Sequence, residues 1–316
     1  MYILKEKFNL RIIFLLIVFF SFLSCNFCKA AILYLEPSGG KLYQGDTFIV
    51  DLRIDSEDEC INSIKGDLFF SQEVLEAVDF SQGNSTISIW LEQPIIDQKL
   101  GTISFTGGIP GGYCGQMPGD PVDNNLLGKV VIRVMNQRLS IASIGFLNTS
   151  QVYLNDGMGT LAKTKVKTAF FDVLKGFPDK SKDEWEQVKR DDTIQPEPFE
   201  IEIQKDPSIF KGKYFIIFST TDKQTGIDHY EIREGLRIWK KVSSPYLLED
   251  QGLSSIITVK AIDKAGNERI AQLPASRKGI PPELIYLILL IGGILTIGLV
   301  LRFLIKKRIK EEINKQ

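Results

Sequence analysis

The chain has 316 residues, with 38 Lys and Arg against 39 Asp and Glu, one His and 44% hydrophobic residues. That length suits about two domains, and the apolar content is that of a globular protein, not a disordered one. Charge is segregated: residues 1–30 sum to +3, residues 302–316 to +4, and the body between them is acidic. This argues against nucleic-acid binding, which needs its basic patch on the folded part.

Lys5, Lys7 and Arg11 precede the apolar run Ile12–Leu23, and Cys28-Lys29-Ala30 places small residues on either side of Lys29, before Ala31. This layout predicts a signal peptide over residues 1–30. An uncleaved anchor has too short an apolar core here, and a lipoprotein site at Cys25 has a poor residue in Phe22.

From Ala31 the chain reads as strands. Ile32–Glu36 is a short apolar run stopped by Pro37-Ser38-Gly39-Gly40. Tyr43-Gln44-Gly45-Asp46 turns the chain into Thr47–Asp55, where Phe48, Val50, Leu52 and Ile54 point one way and Thr47, Asp51, Arg53 and Asp55 the other. Such alternation marks a strand with one buried face. Further strands are expected over Ile61–Phe70, within Ser71–Val78, over Thr86–Leu91, Thr102–Thr106, Leu127–Val134, Ser140–Phe146 and Gln151–Leu154, and near Val166–Phe171. A loop containing Pro94 and a Gly- and Pro-rich loop over Gly107–Asp123 are expected between them. About nine strands without a helical period predict an antiparallel β-sandwich.

Residues 172–198 read as a charged linker. Ser181–Arg190 is a candidate short helix capped by Ser181, with Glu184 three residues on, and Trp185 is expected to pack against a neighbour. Residues 199–275 read as a second all-β unit with the strand spacing of an immunoglobulin-like sandwich. Residues 284–305 are apolar enough to span a bilayer as a helix. The basic tail 306–316 would then be cytoplasmic by the positive-inside rule.

The residues for chemistry are sparse. His229 is the only histidine and lies in a strand, with no nucleophile elbow near it. No glycine-rich loop opens a helix. Asp58 and Glu59 read as a solvated loop pair. Asp222, Asp228 and Asp263 are conceivable calcium ligands but lack EF-hand spacing, and Cys60, Cys114 and His229 are too few for zinc. No catalytic, cofactor or metal site is assigned. Cys60 and Cys114, the cysteines left after processing, are a candidate disulfide; two free thiols are the alternative. Trp90, Tyr113 and Tyr153 are candidate sugar-stacking residues, with a place in the core as the alternative.

Five blocks in order carry a resemblance: Leu35-Glu36-Pro37 followed by Tyr43–Phe48, Gly66–Glu76, Gly101–Phe105, Leu127–Val134 and Asn155-Asp156-Gly157. Over residues 31–171 the chain resembles a cohesin module, of the jelly-roll superfamily that includes carbohydrate-binding modules. It departs from that family at Ser71-Gln72, where an Asp-Pro is common. The segments TDKQTGIDHYEI and VKAIDKAGNE resemble bacterial Ig-like repeats, which usually serve as spacers. The resemblance implies a non-enzymatic surface protein whose cohesin-like module binds a dockerin-type partner through one sheet face, possessing no cofactor of its own. The dockerin would carry the calcium and is often joined to polysaccharide-degrading enzymes. The alternatives are a carbohydrate-binding surface protein taking a polysaccharide, and a structural surface protein without a fixed ligand.

Overall fold

The computed structural model describes residues 30–57, 59–115, 125–135, 141–175, 182–276 and 282–313. The expected signal peptide lies outside them up to Lys29, as does Asp58. The chain forms two compact units: residues 1–194 with 221–227 and 263–267, and the remaining segments.

The first unit is a two-sheet β-sandwich. One sheet has the order β11 (Thr164–Val166), β1 (Ala31–Glu36), β3 (Thr47–Asp55), β8 (Leu126–Val134), β5 (Leu75–Ser81). The other runs β2 (Gly39–Tyr43), β12 (Thr168–Leu174), β9 (Ile141–Phe146), β4 (Ile61–Phe70), β7 (Thr102–Tyr113), β6 (Ile89–Asp97), with β10 (Gln151–Leu154) also paired to β4. The alternation read in Thr47–Asp55 is the inside-outside pattern of β3: Phe48, Val50, Leu52 and Ile54 are buried. They meet Leu33 and Leu35 of β1, Ile64 and Leu68 of β4 and Phe105 of β7 in one apolar core. Phe48 and Phe171 pack at 5.4 Å between ring centroids, a distance at which tilted rings attract beyond simple area burial.

Three expectations need correction. Pro94 lies within β6, not in a loop. That strand is the sheet edge, and its pairing with β7 is irregular between Glu92 and Ile95; proline is tolerated where no ladder hydrogen bond is asked of its nitrogen. Gly107–Tyr113 is strand, not loop. Its glycines mark close approach: a Cβ on Gly107 would come within 2.3 Å of Ile87. Finally, Pro37-Ser38 does not end regular structure at Gly40, because Gly39–Tyr43 forms β2 beside β12. The break lets the chain pass from one sheet to the other.

In the segment expected to be a linker, the described residues include the end of a strand and the expected short helix; Ser181 lies outside them. β12 continues to Leu174. Helix α1 (Glu184–Asp191) is capped by Asp183, whose carboxylate accepts the Glu186 N–H at 2.9 Å, rather than by Ser181. α1 belongs to the first unit: Thr47 N–H donates to Lys182 O at 2.8 Å, Ile49 N–H donates to the Glu184 carboxylate at 3.2 Å, and Trp185 is buried.

The second unit has a three-stranded sheet, β13 (Ile201–Lys205), β14 (Tyr214–Phe218), β17 (Tyr246–Leu247), and a four-stranded one, β16 (Lys240–Val242), β15 (Ile227–Glu234), β18 (Ile257–Asp263), β19 (Glu268–Leu273). Ile216, Phe218, Ile232 and Val259 form its core. Helix α2 (Pro282–Ile313) contains Tyr286–Lys306, the one stretch among the described residues long and apolar enough to cross a membrane.

Cys60 and Cys114 are joined in a disulfide. Strand register explains the pairing: Ile61 of β4 sits opposite Tyr113 of β7, so in an antiparallel pair the next residues outward face each other. The bridge closes a loop of 54 residues in sequence, for which chain entropy gives about 4 kcal/mol of stabilisation. The double variant Cys60→Ala/Cys114→Ala should therefore melt well below the parent. Mass spectrometry of native chain alkylated without reductant should find neither cysteine labelled; labelling of both would contradict the bridge.

Candidate recognition face

The two outer faces of the sandwich differ. Over β3, the five-stranded sheet is met by α1, through the Ile49 and Thr47 contacts. The outer face of the larger sheet carries no helix among the described residues. Its composition follows from pairing, since residues directly opposite each other point to the same side. One row runs Asp97, Thr102, Phe69, Gly145 and Thr168 across β6, β7, β4, β9 and β12. The next is Ile95, Ser104, Asp67; then Glu92, Thr106, Lys65, Gln151; then Ile89, Gly108, Ser63, Tyr153. On the other flank Ser143 pairs with Phe170, and Ile141 with Asp172.

On β7 and β9 this face carries short side chains, Thr102, Ser104, Thr106 and Gly108, and Ser143 and Gly145; β4, between those strands, presents Lys65, Asp67 and Phe69. Larger apolar groups stand around them: Ile95 is 63% exposed, Phe170 60% and Ile141 57%. Polar groups on the face are tied to one another. The Thr106 hydroxyl donates to the Glu92 carboxylate at 2.6 Å, and Lys65 lies 3.6 Å from Asp67. Phe69 is held low over β9, where a Cβ on Gly145 would lie 3.1 Å from its ring. A surface of mixed apolar and polar groups suits a protein partner, whose interface is compositionally close to ordinary surface with aromatic anchors.

The three sugar-stacking candidates do not form a row. Tyr113 is buried. The Trp90 ring lies 5.9 Å from Phe80 and 5.7 Å from Phe105, packed on the core side of β6. Tyr153 alone is on the outer face, half-buried, its hydroxyl donating to the Gln151 side chain at 2.8 Å. Phe69, Phe170 and Tyr43 also lie on this face; Phe69 and Phe170 stand in the apolar runs Leu68–Phe70 and Phe170–Phe171, where alternation is hard to see in the sequence. His229 is engaged with the Asp228 carboxylate and lies in the second unit. Asp228 belongs to the second unit, and Asp222 and Asp263 to the first.

No protein-family model and no curated protein matches the chain. Among solved structures, it is similar to the Coh-OlpC–Doc435 type I cohesin–dockerin complex of Clostridium thermocellum, at 18% identity over 46% of this chain and 96% of that one, TM-score 0.35. It is also similar to the cohesin module of a Clostridium perfringens family 33 glycoside hydrolase, at 11% identity over 46% and 98%, TM-score 0.35. A third is CaCohA2 from Clostridium acetobutylicum, at 15% over 46% and 91%, TM-score 0.35. At TM-scores this low these likenesses carry no argument about partner or activity; the architecture rests on the strand pairing itself.

The position of Trp90 has a direct consequence. Trp90→Ala opens a gap between Phe80 and Phe105 and should cost about 2–4 kcal/mol in denaturant unfolding, near the range for large aromatic truncations. A solvent-facing sugar platform would lose under about 0.5 kcal/mol.

Proposed function

We propose that residues 31–171 are a cohesin-like receptor for a dockerin-type protein module, in a non-enzymatic surface protein. Residues 199–275 serve as an Ig-like spacer, and the 284–305 helix anchors the chain in a membrane as a single pass. The observation that carries this reading is the mixed apolar and polar outer face of the β2–β12–β9–β4–β7–β6 sheet. The five ordered sequence blocks support the family. The lone histidine and the lack of a nucleophile elbow in the sequence favour recognition over catalysis. The basic residues after the apolar helix favour a cytoplasmic C-terminus.

The test is titration of the full chain, in detergent, against dockerin modules encoded in the same genome and separately against insoluble polysaccharides. Dockerin binding is expected. Ser104→Arg, at the centre of the face, should weaken it by about 2 kcal/mol, roughly 30-fold, with the melting midpoint unchanged. Lys129→Gln, on the five-stranded sheet, should leave it intact. Binding to polysaccharide without any dockerin partner would replace this reading with a carbohydrate-binding one.

Topology is checked on intact cells. Added protease should remove residues 31–280 while sparing the basic tail; a protected body would contradict the anchored, outward-facing arrangement.

A further inference from the structure

Three aspartates of the first unit converge beside β5: Asp192 just beyond α1, Asp222 at the turn between β14 and β15, and Asp263 at the end of β18. Two bonds hold their loops at that strand. Ser81 Oγ donates to Thr225 O at 2.6 Å, and Lys264 Nζ donates to Asp79 Oδ1 at 2.5 Å. The three residues are 5%, 2% and 2% exposed, and a carboxylate oxygen from each lies within 4.8 Å of the others.

Hydrogen bonds account for most of these oxygens. Asp222 Oδ1 accepts the N–H groups of Gln224, Thr225 and Gly226 at 3.0, 2.9 and 2.8 Å. Asp263 Oδ1 accepts those of Ala265 and Asn267, and its Oδ2 the Asn267 side-chain amide at 2.9 Å. Asp192 Oδ2 accepts the Thr225 hydroxyl at 2.6 Å, and its Oδ1 the Ile194 N–H. Asp222 Oδ2 is different: it is buried and has no hydrogen-bond partner. A carboxylate oxygen taken out of water without a donor costs free energy of a kind proteins rarely leave uncompensated.

Charge sharpens the point. Lys264, next to Asp263 in sequence, is taken by Asp79. Burial pushes the Asp222 carboxyl up, with Asp192 and Asp263 adding repulsion, against the pull of the Gly226 and Gln224 N–H groups. Asx-type turns explain why Asp222 and Asp263 each turn one oxygen to the backbone. They do not explain why three carboxylates share one buried site, or why Asp222 Oδ2 is buried there without a donor.

We propose that Asp192, Asp222 and Asp263 together hold a calcium ion, with the unpartnered Asp222 Oδ2 as a ligand. The donor set is all oxygen, which suits a hard cation and excludes a thiolate- or imidazole-seeking metal. The spacing permits a shared cation: a carboxylate oxygen of each residue lies within 4.8 Å of the others, and oxygens bound to one calcium at about 2.4 Å are at most about 4.8 Å apart. Magnesium demands near-ideal octahedral geometry and dehydrates reluctantly, so it is the poorer match for a site built of protein carboxylates. The site is separate from the recognition face and stands or falls apart from the dockerin reading. It does alter how a chelation experiment is read, since any calcium in the partner would be stripped along with this one.

The test therefore uses the full chain alone, in detergent, after treatment with EGTA. Equilibrium dialysis against radiolabelled calcium should find about one ion per chain, and saturating calcium should raise the melting midpoint by about 5 °C or more. Magnesium at the same concentration should raise it less. Asp222→Asn keeps the shape and the Oδ1 acceptor, and should weaken calcium binding at least tenfold. In EGTA it should melt at or above the parent, because a buried uncompensated charge has gone. Asp228→Asn should bind calcium like the parent. Absence of bound calcium at millimolar concentration, or an equal loss of stability for Asp222→Asn with and without calcium, would overturn the proposal. Should that variant fail to fold, dialysis and melting of the parent decide the question alone.

Discussion

The register between β4 and β7 is the constraint on which the rest depends. Period-two alternation means that one pairing sets both faces at once. The alignment of Leu68 with Ile103 and of Gly66 with Phe105 puts apolar groups into the core. The same alignment sets Asp67 beside Ser104 and Phe69 beside Thr102 on the outside. A slip of one residue would bury Lys65 and Asp67 and expose Ile64 and Leu68. Gly66 shows how tightly the register is held: a Cβ there would lie 2.4 Å from the Phe105 ring, so the ring occupies the space that a side chain would need. The Cys60–Cys114 bridge fixes the open end of this same strand pair. Core, outer face and disulfide are thus three readings of one ladder.

Much of this fold was legible in the sequence because alternation is a local property. The buried face of β3 follows from Phe48, Val50, Leu52 and Ile54 alone, and so does the all-β class. What failed to show were features decided by neighbours. Pro94 reads as a loop residue until β6 is known to be an edge. Gly107, Gly108, Gly111 and Gly112 read as a loop until each glycine is seen under a side chain or at a turn of β7. Ser181 and Asp183 both satisfy the composition of a helix cap, and only the backbone shows that Asp183 holds the Glu186 N–H.

The sites follow the same division. Trp90 and Tyr113 look like sugar-binding aromatics by type, yet Trp90 packs against Phe80 and Phe105 and Tyr113 is buried. The outer face itself was not assignable, because Phe69, Ser104, Ser143 and Phe170 come from four strands whose order in the sheet is not their order in the chain. Two of the three clustered aspartates, Asp222 and Asp263, drew attention by their turn sequences. Asp228 is the nearer third residue in sequence, whereas α1 delivers Asp192 from a segment that reads as linker. Spacing along the chain reveals a metal site only when one loop supplies the ligands.

The account's central claim is that the outer face of the larger sheet recognises a protein module. Hydrogen–deuterium exchange on the full chain, with and without a bound dockerin module, reads that face directly. The account predicts added protection over residues 63–69, 102–108 and 141–145, with residues 47–55 and 126–134 of the other sheet unchanged. Protection confined to the other sheet, or none anywhere on the sandwich in a chain that binds, would contradict it.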